Sequence, residues 1–359
     1  MHIIRPLVLA GALAIVSPLA GAGLLDKVLA GDTSAVVLDE QADPASVFDK
    51  AFQQPGALAH NLRRPAFELR KIHLASFEVV FPTELIAATS GRDARAYTYF
   101  LRNTTEAQMQ QITDRAHAAF VAALQARGYE VLPAAALDST SFREQLAATR
   151  SPEKQERSGL AQMMGNSEAE TDNAAVVARA AGTGTYPGIT FMSTGPLGKL
   201  ASETGAVVVG VRMRLVFSQV TEDKGIVSND LEVKPRNVLG LKGTELRVHA
   251  PDGDFWQMPL QRAVALPHAA APQAARMSVD ATDRTKAIAK VGLGAVFGFL
   301  GGSGRGGLAG AAGGVNAQSA AEALGESPRF EVTAGTEYVQ DTSSDLQLAA
   351  RMLAEALPK

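Results

Sequence analysis

Arg212 and Arg214 are the residues of this chain whose type and spacing point most directly to binding chemistry. In Ala206-Val-Val-Val-Gly-Val-Arg-Met-Arg-Leu-Val-Phe217 the residues Val207, Val209, Val211, Met213, Leu215 and Phe217 alternate with Val208, Gly210, Arg212, Arg214 and Val216. Such alternation predicts a central core strand with one wholly apolar face. Its other face carries both guanidiniums, a candidate contact for a phosphate or an anionic lipid. A solvated sheet face, or salt bridges with nearby acids, is the simpler account of the same pair. His73 falls inside a strand, His117 beside an apolar helical stripe, His249 at a hairpin edge, and His60 and His268 in loops. None is spaced from another histidine or a carboxylate as metal ligands are, so no metal centre and no cofactor is expected.

Nucleophiles fare no better. The chain has no cysteine, which removes thiol catalysis and thiolate metal sites. The Gly-x-Ser-x-Gly turn of a hydrolase nucleophile does not occur. Gly292-Leu-Gly-Ala-Val-Phe-Gly298 has phosphate-loop spacing but follows no predicted strand, and no Walker lysine accompanies Gly301 to Gly307. The expected class is therefore non-enzymatic.

A second kind of candidate is apolar. Val291 to Leu300 and Gly306 to Val315 are glycine-spaced runs in which Leu293, Val296, Phe297, Phe299, Leu300 and Leu308 offer surface to a partner or a membrane. Three readings stand: a flexible low-complexity insertion, a helical hairpin packed on itself or a partner, and a membrane-inserting element. Each half is too short to span a bilayer alone, and Arg305 sits badly in hydrocarbon.

The address is written at the start. Arg5, the apolar run Leu7 to Val16 and the small residues Ala20-Gly-Ala22 form a secretory signal peptide, with cleavage expected after Ala22 or Ala20. Without cysteine the mature chain carries no lipid anchor. Loss of Arg5 takes the formal charge from −3 to −4. That near-balanced surface argues against nucleic acid as a partner.

Several elements must position these residues. Lys71 to Phe81 reads as a strand whose apolar phase switches near Ala75-Ser76, the mark of a bulge. Thr105-Glu-Ala-Gln108 fits a capping box, and Met109, Ile112, Ala116, Ala119, Phe120, Ala123 and Leu124 form the stripe of a helix that Gly128 ends. Tyr129 to Leu132 follows as a strand, completing a βαβ-like unit. Ala45 to Phe52, Ser141 to Arg150 and Ala174 to Ala181 are helix candidates, and Gly198 to Thr204 reads as a helix end. Pro251-Asp-Gly253 joins Glu245 to His249 and Phe255 to Met258 as a hairpin. Val264 to Leu266 prolongs the sheet, Arg329 to Thr333 is a final strand, and Ser343 caps a closing helix with Leu346, Ala349, Ala350, Leu353 and Leu357 on one face. The fold class expected is α/β (α+β), a mixed, largely antiparallel sheet with helices packed on it and a Gly/Ala-rich insertion.

Lys199-Leu-Ala-Ser-Glu-Thr-Gly-Ala-Val-Val-Val-Gly-Val-Arg212 resembles the helix-to-strand passage of envelope proteins of the curli-secretion-component type. Leu246-Arg-Val-His-Ala-Pro-Asp-Gly-Asp-Phe-Trp256 resembles their hairpin. The α/β domain is also similar to the amino-terminal domain of the periplasmic Tol-system B protein and to lipoprotein activators of peptidoglycan synthases. The resemblance covers residues 70–132, 196–266 and 340–359. Val207-Val208 stands where the family has Asp-Tyr, the lipidated cysteine is missing, and the glycine-rich segment is additional. The resemblance implies a fold and an envelope role more than a secretion pore.

The organisation expected is a signal peptide (1–22), an extended amino-terminal segment (23–66), an α/β domain (67–268) with a polar insertion near 138–190, a Gly/Ala-rich insertion (269–326), and a closing strand and helix (327–359). The function expected is that of a periplasmic protein, in contact with the outer membrane or not. It binds an envelope protein or a second copy of itself, touches membrane peripherally at most, and assists assembly, secretion or wall maintenance. The alternatives are an exported hydrolase with dispersed carboxylates and a membrane-active protein working through the glycine-rich segment.

Overall fold

The computed structural model describes residues 35–52, 70–88, 96–137, 140–156, 170–186, 195–224, 229–241, 243–269, 276–277 and 329–357. In chain order the strands are β1 (Val36–Val37), β2 (Lys71–Ala88), β3 (Ala96–Arg102), β4 (Glu130–Val131), β5 (Glu153–Glu156), β6 (Glu170–Arg179), β7 (Val207–Lys224), β8 (Asn229–Leu239), β9 (Glu245–His249), β10 (Phe255–Pro259), β11 (Val264–Ala265), β12 (Arg276–Met277) and β13 (Arg329–Thr333). The helices are α1 (Pro44–Ala51), α2 (Glu106–Ala126), α3 (Arg143–Ala148), α4 (Gly195–Thr204) and α5 (Tyr338–Ala354).

All the strands join one mixed sheet, whose main path runs β1-β11-β8-β7-β2-β3-β13-β12. β9 and β10 extend it beside β7, and β4, β6 and β5 beside β2. Parallel pairing joins β2 to β7 and β4, β1 to β11, and β13 to β3, while the remaining ladders are antiparallel. The fold is thus the expected α/β type with a largely antiparallel sheet.

Local sequence explains most of these elements. The Thr105 N–H donates to Gln108 Oε1 at 2.8 Å and the Gln108 N–H donates to Thr105 Oγ1 at 3.2 Å, so the capping box closes as expected. Met109, Ile112, Ala116, Phe120 and Leu124 are buried, and Gly128 takes φ +86° where the chain leaves the helix. β4 then pairs with the start of β2 in parallel, which completes the βαβ unit. The register of β2 against β7 shifts between Leu74 and Ser76, at the bulge that the change of apolar phase predicts. Gly253, at φ +95°, turns β9 into β10.

Two helix expectations need correction. Ala174 to Ala181 is not a helix: residues 174–179 belong to β6, paired with β2 on one edge and β5 on the other. Small-residue helix propensity is weak, and ladder bonds on both edges together with burial of Val176 and Val177 outweigh it. Ser343 does not cap the closing helix, since α5 begins at Tyr338 and Ser343 lies buried within it. Tyr338 and Thr342 also face inward, so the packed face starts about one turn earlier than the leucines suggest.

The main core lies between one sheet face and α1, α2 and α5. It includes Phe77, Val79 and Phe81 of β2, Val209, Val211 and Met213 of β7, Ile112 and Phe120 of α2, and Leu346 and Leu353 of α5. β1 and α1 contribute Val36, Val47 and Phe48. Arg127 ties α2 to the end of α5, with Nη1 2.5 Å from Glu355 Oε2 and Nη2 donating to the Leu357 carbonyl. On the opposite face Ala75, Leu137, Phe142, Leu197, Leu200, Ala201 and Val208 form a second, smaller cluster under α3 and α4.

Candidate functional site

The alternation of β7 places Arg212 and Arg214 on this second face, and the ladders of β2 and β9 bring charged neighbours to them. Cross-strand register aligns His73, Val208 and His249 in one row, Ser76, Gly210 and Arg247 in the next, and Glu78, Arg212 and Glu245 in a third. β6 adds Arg179 beside Glu78. Along the third row the charges alternate in sign.

Glu78 sits between two arginines. Its Oε2 is 3.2 Å from Arg179 Nε, its Oε1 is 3.1 Å from Arg212 Nε, and the Tyr186 backbone N–H donates to Oε2 at 3.3 Å. Burial pushes the Glu78 pKa up, and the charges of Arg212 and Arg179 pull it back in part. Arg179 also meets Glu153 at 3.0 Å and donates to the Arg150 carbonyl. Glu245 accepts from Arg247 at 3.1 Å and from Gln257 at 2.5 Å. Arg179, Arg212 and Arg247 are thus balanced by Glu78, Glu153 and Glu245, and Arg212 is engaged by a carboxylate of its own chain. The Arg214 N–H donates to Thr244 Oγ1 at 3.0 Å, and its side chain lies along Gly243 and so close to Gly240 that a methyl group there would collide with Nη1.

The stretch 180–186 crosses this face. The Gly184 N–H donates to the Ala75 carbonyl at 2.7 Å, and Tyr186 lays its ring 4.8 Å from the Arg247 guanidinium carbon. The tyrosine hydroxyl lies against Glu245. Burial first, and that carboxylate second, hold its pKa well above the ordinary value, so it stays a neutral phenol. Polar atoms enclosed on this face without a hydrogen bond include His73 Nδ1, Ser76 Oγ and His249 Nδ1. His249 stacks on the half-exposed Phe255 at 5.6 Å between ring centroids. Burial, reinforced by Arg247, lowers its pKa to about 4.

A cleft of about 530 Å³ opens on the core face where β3 and β6 run past the start of α2. Thr83, Leu101, Met109 and Val176 are among its lining residues, and Lys154 and Glu106 pair at 2.9 Å beside it. Its ionic groups and the Thr105 hydroxyl are taken up by partners within the chain.

A third polar node joins α5 to the sheet. Asp345, fully enclosed, accepts from Asn237 Nδ2 at 2.8 Å and lies 2.7 Å from His268 Nδ1. The sequence alone leaves His268 a loop histidine, and the signal for this node is a carboxylate inside the apolar stripe of the closing helix. Glu78 carries a similar signal. It is an acid within a run of strand residues, in the phase opposite to Phe77 and Val79.

Leu293, Val296, Phe297, Phe299, Leu300 and Leu308 lie outside the described residues, as do residues 1–22, where a signal peptide is expected. No cluster of three or more metal-ligating side chains occurs among the described residues. Comparison with protein-family models, with curated proteins and with solved structures finds no match to this chain.

Proposed function

We propose that the protein is an exported, non-enzymatic component of the cell envelope that works in the periplasm and binds another envelope component, assisting assembly, secretion or wall maintenance. The observation that supports this reading is the ribbon made by β7 and β8. From Ser218↔Pro235 to Lys224↔Asn229 each strand has only the other as its ladder partner among the described residues. A two-stranded ribbon that outruns its sheet is marginal in water by itself. Its outer edges carry backbone donors and acceptors that a partner's strand can match. The paired charges of the second face fit the same reading, because they hold strands in register without using a bound ligand. The apolar residues between Leu293 and Leu308 remain the proposed second contact, to a partner or a membrane surface. Among the described residues no helix is long and apolar enough to cross a membrane.

A photo-crosslinking amino acid at Thr221, expressed in the full chain in cells, tests the reading. The expected result is a discrete adduct with one envelope protein or with a second copy, lost when Val220→Pro blocks the ladder. Absence of any adduct from Thr221, or the same adduct with Val220→Pro, would overturn it. Amino-terminal sequencing of the cell-fractionated protein checks export, with the mature chain expected to start at Gly23 or Gly21.

A further inference from the structure

We propose that the contact between His268 and Asp345 is a proton-operated latch, which fastens the β1–β11 edge of the sheet to α5 and loosens that edge as pH rises. Three parts of the chain meet at this point. Asp345 comes from α5, Asn237 from β8, and His268 from the residues just after β11. The His268 backbone N–H lies 3.3 Å from each Asp345 oxygen, in addition to the contacts of its ring and of Asn237 Nδ2. The Asn237 N–H in turn donates to the His268 carbonyl at 3.0 Å.

An enclosed carboxylate needs a counter-charge, since neutral donors alone compensate it poorly. Among the described residues the imidazolium is the cation in contact with Asp345. The groups facing His268 favour that cation: Asp345 and Asp341 on α5, and Glu40 in the turn after β1. On β8 Asn237 is neutral, and Arg236 directs its Nε to the Leu266 carbonyl at 2.7 Å. The hydrogen bond to Asp345 raises the His268 pKa above the ordinary histidine value, the three carboxylates add to it, and partial burial opposes. Burial also raises the Asp345 pKa, against the pull of His268 and Asn237. Both shifts have the same sign. A group titrating higher in the folded state contributes stability that is complete below its unfolded pKa and is lost as pH rises through the folded one.

The latch matters because the ladders of this edge are short, so that beyond the core burial of Val36, Leu38, Val264 and Leu266 few strand pairs fix it. β11 meets β8 at only Val264↔Leu239 and Ala265↔Val238, and β1 rests on β11 through two residue pairs. The Leu266 N–H donates to the Asn237 carbonyl at 2.9 Å and the Leu38 N–H to the Ala265 carbonyl at 3.0 Å. When His268 loses its proton, Asp345 is left charged among neutral donors, and release of the edge uncovers β8 at Val238 and Leu239. Loosening therefore turns a covered strand into one open to pairing.

Hydrogen exchange of the full chain, read between pH 5.5 and 9 on peptides containing Leu38 and Leu266, tests the proposal. After correction for the intrinsic pH dependence of exchange, protection at both sites is expected to fall about tenfold, with a midpoint above the unperturbed histidine value of about 6.5. His268→Gln should show low protection at all pH values. Val209 and Val248, in the central ladders, should not respond. Flat protection in the wild-type chain, an equal fall in His268→Gln, or a parallel fall at Val209 would each overturn it.

Discussion

Ser76 and Gly210 face each other across β2 and β7 so closely that a methyl group on Gly210 would stand 2.7 Å from Ser76 Oγ. The same methyl would lie 3.2 Å from Leu197 Cδ1 and 3.3 Å from Tyr186 Cε2. The glycine is thus where α4 and the 180–186 crossing approach the sheet, and its requirement is for space. Gly210→Ala is expected to lower stability by about 1–3 kcal/mol, the range for overpacking a filled interior. Adding Ser76→Ala should recover part of that loss, as residues in contact couple. Equal urea midpoints for Gly210→Ala and the wild-type chain would contradict the close approach.

The Glu78–Arg179 pair predicts an asymmetry between single and double substitutions. Both side chains are 3% exposed. Glu78→Leu deprives the buried Arg179 guanidinium of one of its two carboxylates, Glu153 remaining, and is expected to cost about 1–3 kcal/mol, whereas Glu78→Leu with Arg179→Met should cost less than Glu78→Leu alone. Arg212, about one-third exposed, can turn to water in both variants. Urea unfolding at neutral pH gives the comparison, and simple additivity would refute the coupling.

His249 predicts acid sensitivity. Its folded pKa, lowered to about 4, lies below the unfolded value, so the unfolded chain binds the proton first. Its contribution is complete above about pH 6.5 and is lost as pH falls toward 4, an effect on the order of 3 kcal/mol. His249→Leu should flatten stability across that window. Burial lowers His73 and His117 as well, so some slope remains. Unfolding midpoints at pH 4.5 and 7 decide the matter, and an unchanged difference in His249→Leu would remove His249 as the cause. This window is opposite in sign to that of His268, which lies above pH 6.5.

Thr105→Ala opens the capping box of α2 and is expected to cost about 1 kcal/mol. Thr105→Ser should keep most of that stability. Thermal unfolding of the three chains provides the check, with equal values for Ala and Ser counting against a role for the hydroxyl.

Much of the fold was legible because its determinants are local. The capped helix α2, the β9–β10 hairpin with its positive-φ glycine, the bulge in β2 and the two faces of β7 follow from residue types at fixed short spacings. Residues 174–179 suggest a helix in sequence because alanine and valine favour no one state strongly, and only two flanking strands make them β6. The start of α5 is not legible in sequence because Tyr338 and Thr342 show an inward face only once the sheet lies beneath them.

The sequence by itself determined the fold class and which face of β7 would carry Arg212 and Arg214, because strand alternation is a property of neighbouring residues. It also supplied the expectation of export. Only the tertiary structure decided which acid each arginine meets, since Glu78 is far from Arg179 and Arg212 in the chain and reaches them through ladder register. The same holds for His268 and Asp345, brought together across an intervening segment. Long-range pairing is chosen by the free energy of the whole sheet and core, and no short stretch of sequence contains it.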